Sequence, residues 1–263
     1  MKWKLFLLSL FCFLQADANS FSEVAQQNVR PMRLENVRMI WHNTLCEIRG
    51  ERLWGQDPYT HQPVLRDFYH YKPNRVRSRP VIILPPFYGF DPIDHEMSLF
   101  LCFSGIPVYS LPRLEGPTYD LNLSRLDQQT VRSIFGLREL IETLAQPVDL
   151  MGASLGSLYG MVLSGLEKHV KKVILIAAGI NLPGIMSDSA LPNLVYQRDE
   201  WMMRKGRNNI DDYRNFLRRQ LQCEPGDYLT GTHPAKNYLI FVSLWDIVIP
   251  TRYQMDLVDK LPG

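Results

Sequence analysis

The sequence predicts an α/β fold, a mostly parallel sheet flanked by helices, and three observations carry that prediction. Short apolar runs (Val81–Leu84, Ile106–Tyr109, Val148–Met151, Val173–Ile176 and Tyr238–Val242) have the texture of strands covered on both faces. Between them lie helical periods: Ile134, Leu137, Ile141 and Leu144 recur at steps of three and four, as do Leu155, Leu158, Tyr159, Val162, Leu163 and Leu166. Parallel neighbours require crossovers, which helices packed on the sheet supply, so the alternation argues against a sandwich or a bundle. A chain of 263 residues, 46% hydrophobic, is long enough to build one large core.

In chain order, Lys2 and Lys4 precede the apolar stretch from Leu5 to Leu14, and Ala16-Asp17-Ala18 has the small, polar, small spacing of a processing site. Residues 1–18 therefore read as a signal peptide. An apolar run of about ten residues is half the ~20 that a bilayer core requires. The expectation is an exported protein, periplasmic or secreted, with no membrane anchor after cleavage. Residues 19–35 are polar and mixed and read as a surface arm. From Val37 to Tyr71 apolar and polar residues alternate around Gly50, Gly55, Pro58 and Pro63, the pattern of antiparallel strands at a sheet edge. The stretch from Asn181 to Lys236 is far longer than an ordinary crossover. It reads as a helical cap or lid inserted at about 181–236 within a single domain, 19–263, with an amphipathic helix over Ile210–Leu221.

Charge and cysteines narrow the partners. With 29 Lys plus Arg against 27 Asp plus Glu, the formal net charge is +2, and no global field recommends nucleic acid. Arg204, Lys205, Arg207, Arg214, Arg218 and Arg219 cluster in the insertion, but Glu200, Asp211 and Asp212 interleave with them. A solvated helix face is expected there, with an anionic surface as the other reading. Cys12 leaves with the leader. Cys46, Cys102 and Cys223 are widely spaced, allow at most one bridge within the chain, and are expected as small buried apolar residues. No cluster of His, Cys and carboxylates has metal-ligand spacing.

Chemistry enters at Gly152-Ala153-Ser154-Leu155-Gly156, which follows the apolar run ending at Met151 and opens into the amphipathic stretch from Leu155. A serine hydroxyl is a poor nucleophile until it is lifted clear of the sheet, approached by a base and placed beside backbone N–H donors. A strand, a glycine-flanked turn and a helix can do this. The spacing of Gly156, Gly160 and Ser164, four apart, lets that helix approach the sheet closely.

Over roughly Pro80 to Leu261 these residues resemble the α/β-hydrolase superfamily. The resemblance implies a serine hydrolase without cofactor or metal, acting on a small acyl substrate, with the triad in the order Ser, Asp, His. Ser154 matches the nucleophile, and Leu155 the residue whose N–H gives one oxyanion donor. The second donor is expected just after Val81–Leu84, where Pro85-Pro86-Phe87-Tyr88-Gly89 stands; prolines lack an N–H, so Phe87 is the first choice and Tyr88 the second. Asp246, in Leu244-Trp245-Asp246-Ile247-Val248-Ile249-Pro250, matches the acid, with Asp188 a weaker alternative.

The pattern breaks at the histidine, which the resemblance places after one further helix and strand. None of His42, His61, His70, His95, His169 and His233 occupies that place, and Thr251–Leu261 reads as the helix before the missing strand. Three readings follow: a shortened version of a longer hydrolase, a binding protein on a hydrolase scaffold, or a substitute base, for which His95 is nearest the catalytic rim.

Overall fold

The structure, a computed structural model, describes residues 21–84, 92–111, 123–229 and 237–261. Three long strands, β1 (Arg33–His42), β2 (Cys46–Gln56) and β3 (Pro63–Pro73), form an antiparallel meander. Five shorter ones, β4 (Val81–Leu84), β5 (Val108–Ser110), β6 (Val148–Ala153), β7 (Val170–Ile176) and β8 (Asn237–Phe241), run parallel to one another. Together they make one sheet in the order β1-β2-β3-β5-β4-β6-β7-β8. The chain goes from β4 outward to β5 and then returns past it to β6. Loops at such a reversal diverge and leave a crevice beyond the C-terminal strand ends.

The central strands β4 and β5 are buried throughout, which explains why they read as unbroken apolar runs. In β4, Ile82 and Leu84 enter the larger core while Val81 and Ile83 enter the smaller one. The larger core is closed by α1 (Phe21–Ala25), α3 (Leu123–Leu144), α4 (Leu155–Leu166) and α8 (Thr251–Lys260); the smaller one is covered by α2 (Pro92–Phe103). Between β7 and β8 come α5 (Leu182–Asp188), α6 (Pro192–Lys205), α7 (Ile210–Gln220) and a 3-10 turn at Pro225–Tyr228. Among the described residues no helix is long and apolar enough to cross a membrane.

Two expectations require correction. The supposed arm at 19–35 instead contains α1, whose Phe21, Val24 and Ala25 are at most 2% exposed. Their spacing, i, i+3 and i+4, makes one apolar stripe, too short to stand out among polar neighbours. Arg138 of α3 fixes this segment by donating to the Ala25 and Gln27 carbonyls while pairing with Glu167. The second correction concerns the cysteines. Cys46 and Cys102 form a disulfide that ties the start of β2 to α2, and only Cys223 is a free buried thiol among the described cysteines. Their separation of 56 residues hid the pairing; β2 and α2 meet only once β3 and β5 have brought the two layers together.

One half-buried carboxylate couples the segment between β7 and β8 to the body. Asp127 of α3 accepts from the Gln222 N–H at 2.8 Å, and burial pushes its pKa up to about 6 despite the backbone N–H groups of Gln222 and Cys223. Its stabilising contribution is present below the unfolded value near 4 and is lost as pH rises through about 6.

Two outcomes follow. Replacing Cys46 and Cys102 by Ser, or reducing their bond, should cost about 4 kcal/mol on the chain-entropy account, read as a lower denaturant midpoint. Asp127→Asn should flatten the fall in stability between pH 4 and pH 7 by about 2 kcal/mol relative to the parent chain, measured by urea unfolding across that range.

Candidate active site

Ser154 stands where β6 ends and α4 begins, with φ 51° and ψ −118°. A side chain rarely adopts positive φ, so the turn is strained and must be held by its surroundings. The holding is local. The Ser154 N–H donates to the Ile176 carbonyl of β7 at 3.0 Å, and the Ser157 N–H donates to the Ser154 carbonyl at 2.9 Å. Ser157, fully buried, places its hydroxyl 2.7 Å from the Gly152 carbonyl and 3.1 Å from that of Ile176, so one side chain fastens the turn to two strands. Gly152 is required by space: a Cβ there would overlap the Gly156 carbonyl and stand 2.8 Å from the Ser157 nitrogen.

The Ser154 side chain makes no capping hydrogen bond to α4, which leaves its hydroxyl uncommitted among the described residues. The Leu155 N–H belongs to the first turn of α4, whose donors the helix itself does not satisfy. Hydroxyl and donor therefore lie together at the C-terminal edge of the sheet. Phe87 and Tyr88, the expected sources of the second donor, lie outside the described residues, as does the expected leader at 1–18.

Asp246 reaches the same edge by a different route. Strands β6, β7 and β8 are parallel and adjacent, so the segments leaving their C-terminal ends share one rim, with β7 between the serine and the acid. The carboxylate Oδ1 accepts from the Val248 N–H at 2.7 Å and the Ile249 N–H at 3.0 Å, which fixes the side chain. These bonds leave Oδ2 for another partner. The loop carrying Asp246 is itself clamped by Gln254 of α8, fully buried, which accepts from the Ser243 N–H and donates to the Ser243 and Ile249 carbonyls. From the cap side the Ala190 N–H donates to the Ile247 carbonyl at 2.8 Å.

Asp188, the alternative acid, is committed elsewhere. Its oxygens engage Arg214 of α7 together with Arg252 and Tyr253 of α8. Burial raises its pKa, but the hydrogen bonds from Tyr253 and Arg214 and the Arg214 charge outweigh that and hold it below the usual carboxylate range. It joins the cap to α8.

The histidines divide clearly. His95 lies on α2, with Nδ1 2.7 Å from the Tyr71 hydroxyl, and His70 pairs with Glu51 and stacks on Tyr109. His169 sits at the N-terminal end of β6, where its carbonyl accepts from Val148, opposite the serine. His61 is in the turn between β2 and β3, His42 ends β1, and His233 lies outside the described residues. No hydrogen bond joins a histidine to Ser154 or Asp246 among the described residues. Ser157 and Gln254 were missed in the sequence; the available signal was a polar residue on an otherwise apolar helix face.

The chain matches no family model and no curated protein. Among solved structures it is similar to acetyl xylan esterase 1 of Thermoanaerobacterium sp., with a TM-score of 0.64 and 14% identity over 92% of this chain and 82% of that one. The chain has the α/β-hydrolase fold. An acetyl xylan esterase of Paenibacillus sp. gives the same TM-score at 12% identity, covering 92% of this chain and 83% of that one. Acylaminoacyl peptidase of Pyrococcus horikoshii matches 82% of this chain and 35% of its own at 16% identity, with a TM-score of 0.59. In this α/β-hydrolase fold the meander strand β1 precedes the antiparallel strand β2, and Ser154 follows the central parallel strand β6.

Gly152→Ala should force Gly156 away from β6 and destabilise the chain by about 3 kcal/mol or more, since the obstacle is backbone rather than a movable side chain. Thermal unfolding of the variant beside the parent chain would measure it.

Proposed function

We propose that the protein is an exported serine hydrolase that cleaves a carboxylic ester, or a thioester or lactone, through an acyl-Ser154 intermediate. The observation carrying this reading is the strained turn that holds an uncommitted serine hydroxyl beside the Leu155 N–H at the rim where Asp246 also arrives. The printed activities of two similar structures, both acetyl xylan esterases, support ester chemistry. Export is supported by the leader and by the Cys46–Cys102 disulfide, which persists in oxidising compartments.

In the reaction the Ser154 Oγ bonds to the acyl carbon as its proton passes to a histidine, and the former carbonyl oxygen takes the negative charge. The N–H groups of Leu155 and Phe87 stabilise that charge, each contributing about 3 kcal/mol in the transition state. Collapse breaks the bond to the leaving alcohol, which receives the proton; water then releases the acid and restores Ser154. Asp246 holds the histidine through its free oxygen and stabilises the imidazolium. The histidine would come from a strand seated beside β8. The outer edge of β8 has no neighbour among the described residues, and Leu239 and Phe241 on one face of β8 are each 52% exposed, an unusual state for apolar residues of a sheet.

The test is hydrolysis of a short-chain nitrophenyl ester by residues 19–263 and by a chain extended through the downstream reading frame, each beside its Ser154→Ala variant. The extended chain should be active, and Ser154→Ala should lower kcat/KM by about a thousandfold or more. Activity in the shorter chain that depends on Ser154 would move the base to a histidine within it. Activity indifferent to Ser154→Ala, or silence in both chains, would overturn the reading.

A further inference from the structure

We propose that the hairpin of α6 and α7 holds a binding site for a small organic anion with a flat apolar body, built from residues that take no part in the Ser154 site. A cavity of about 460 Å³ opens between the two helices. That is within the range of small-molecule sites, roughly 300–1,000 Å³. Its walls follow from helical spacing. Trp201 and Lys205 are four apart on α6, and Asp212, Phe216 and Arg219 fall at steps of four and three on α7, so one face of each helix points at the other.

The wall has two chemical halves. Trp201 and Phe216 stack on each other with ring centroids 5.1 Å apart and planes at 30°, giving the cavity an aromatic side. The Trp201 indole N–H is buried with no hydrogen-bond partner among the described residues. The other half is cationic. Arg204 pairs with Glu200, Arg207 with Asp212, and Arg214 with Asp188 and Asp211, while Arg218 donates to the Asn215 side chain. Of the six basic residues in this part of the sequence, Lys205 and Arg219 alone have no partner among the described residues, and both line the cavity. With Arg207 and Asp212 neutralising each other, the cavity keeps two uncompensated positive charges.

Two like charges at one cavity repel, and an anion relieves that repulsion while accepting charge-assisted hydrogen bonds from both. The aromatic half selects among anions: a carboxylate, sulfonate or phosphate on a planar apolar body uses both halves, whereas inorganic phosphate uses one.

Calorimetric titration of the full chain with 2-naphthoate, 2-naphthamide and inorganic phosphate tests this, with phosphatidylglycerol vesicles as a further arm. 2-Naphthoate should bind at least about tenfold more tightly than either its uncharged amide or phosphate, a difference of about 1.4 kcal/mol. The exposed double substitution Lys205→Gln, Arg219→Gln should weaken 2-naphthoate at least about tenfold while leaving the melting temperature unchanged. Equal binding of the amide would leave an apolar gap rather than an anion site, and binding undiminished in the double variant would place the ligand elsewhere. No binding of 2-naphthoate near 10 mM, or binding of vesicles alone, would also overturn the proposal, the latter in favour of a lipid surface.

Discussion

The parallel alignment of β6, β7 and β8 is the constraint on which the rest of the site depends. Because the three strands point the same way, whatever leaves β6 and whatever leaves β8 emerge at one rim, although Ser154 and Asp246 are far apart in sequence. Hydrogen bonds across the strand ends then convert alignment into position. The Ser154 and Ala177 N–H groups donate to the carbonyls of Ile176 and Phe241, linking the three exits at 3.0 Å each. A strained φ at Ser154 survives because these bonds, together with the Ser157 hydroxyl, leave the turn no relaxed alternative.

The helices between β7 and β8 are part of this arrangement rather than an appendage to it. Glu224 accepts from the Asn181 and Leu182 N–H groups, closing the base of the excursion, and Asp188 joins α5 to α7 and α8. Since α8 also supplies Gln254 to the loop of Asp246, a short series of polar contacts runs from these helices to that loop. The α6 and α7 hairpin is bound into this series through Arg214 and Arg198, both of which donate to Ser187.

What the sequence revealed follows the range of the interactions involved. The central parallel strands β4 and β5 were legible because burial on both faces removes polar residues from them, and the turn at Ser154 because glycine is demanded at Gly152 by an obstacle within five residues. Interactions between distant segments were not: Cys46 with Cys102, Arg138 with the Ala25 and Gln27 carbonyls, and the Phe21 N–H with the Gln222 side chain each join residues whose own neighbourhoods give no sign of the partner. The helix at Phe21–Ala25 escaped for a related reason, since a single turn has little periodicity to detect.

That helix also sets an order of events. Its Phe21 N–H donates to the Gln222 side chain, 201 residues later, and the carbonyls of Ala25 and Gln27 accept from Arg138 of α3. Segments made early in synthesis thus acquire their native contacts only after most of the chain exists. Contacts of such long range slow folding, because the loop they close must be ordered before they return any stabilisation. The N-terminal segment is therefore expected to be among the last to dock, and its apolar stripe stays open to other surfaces until it does.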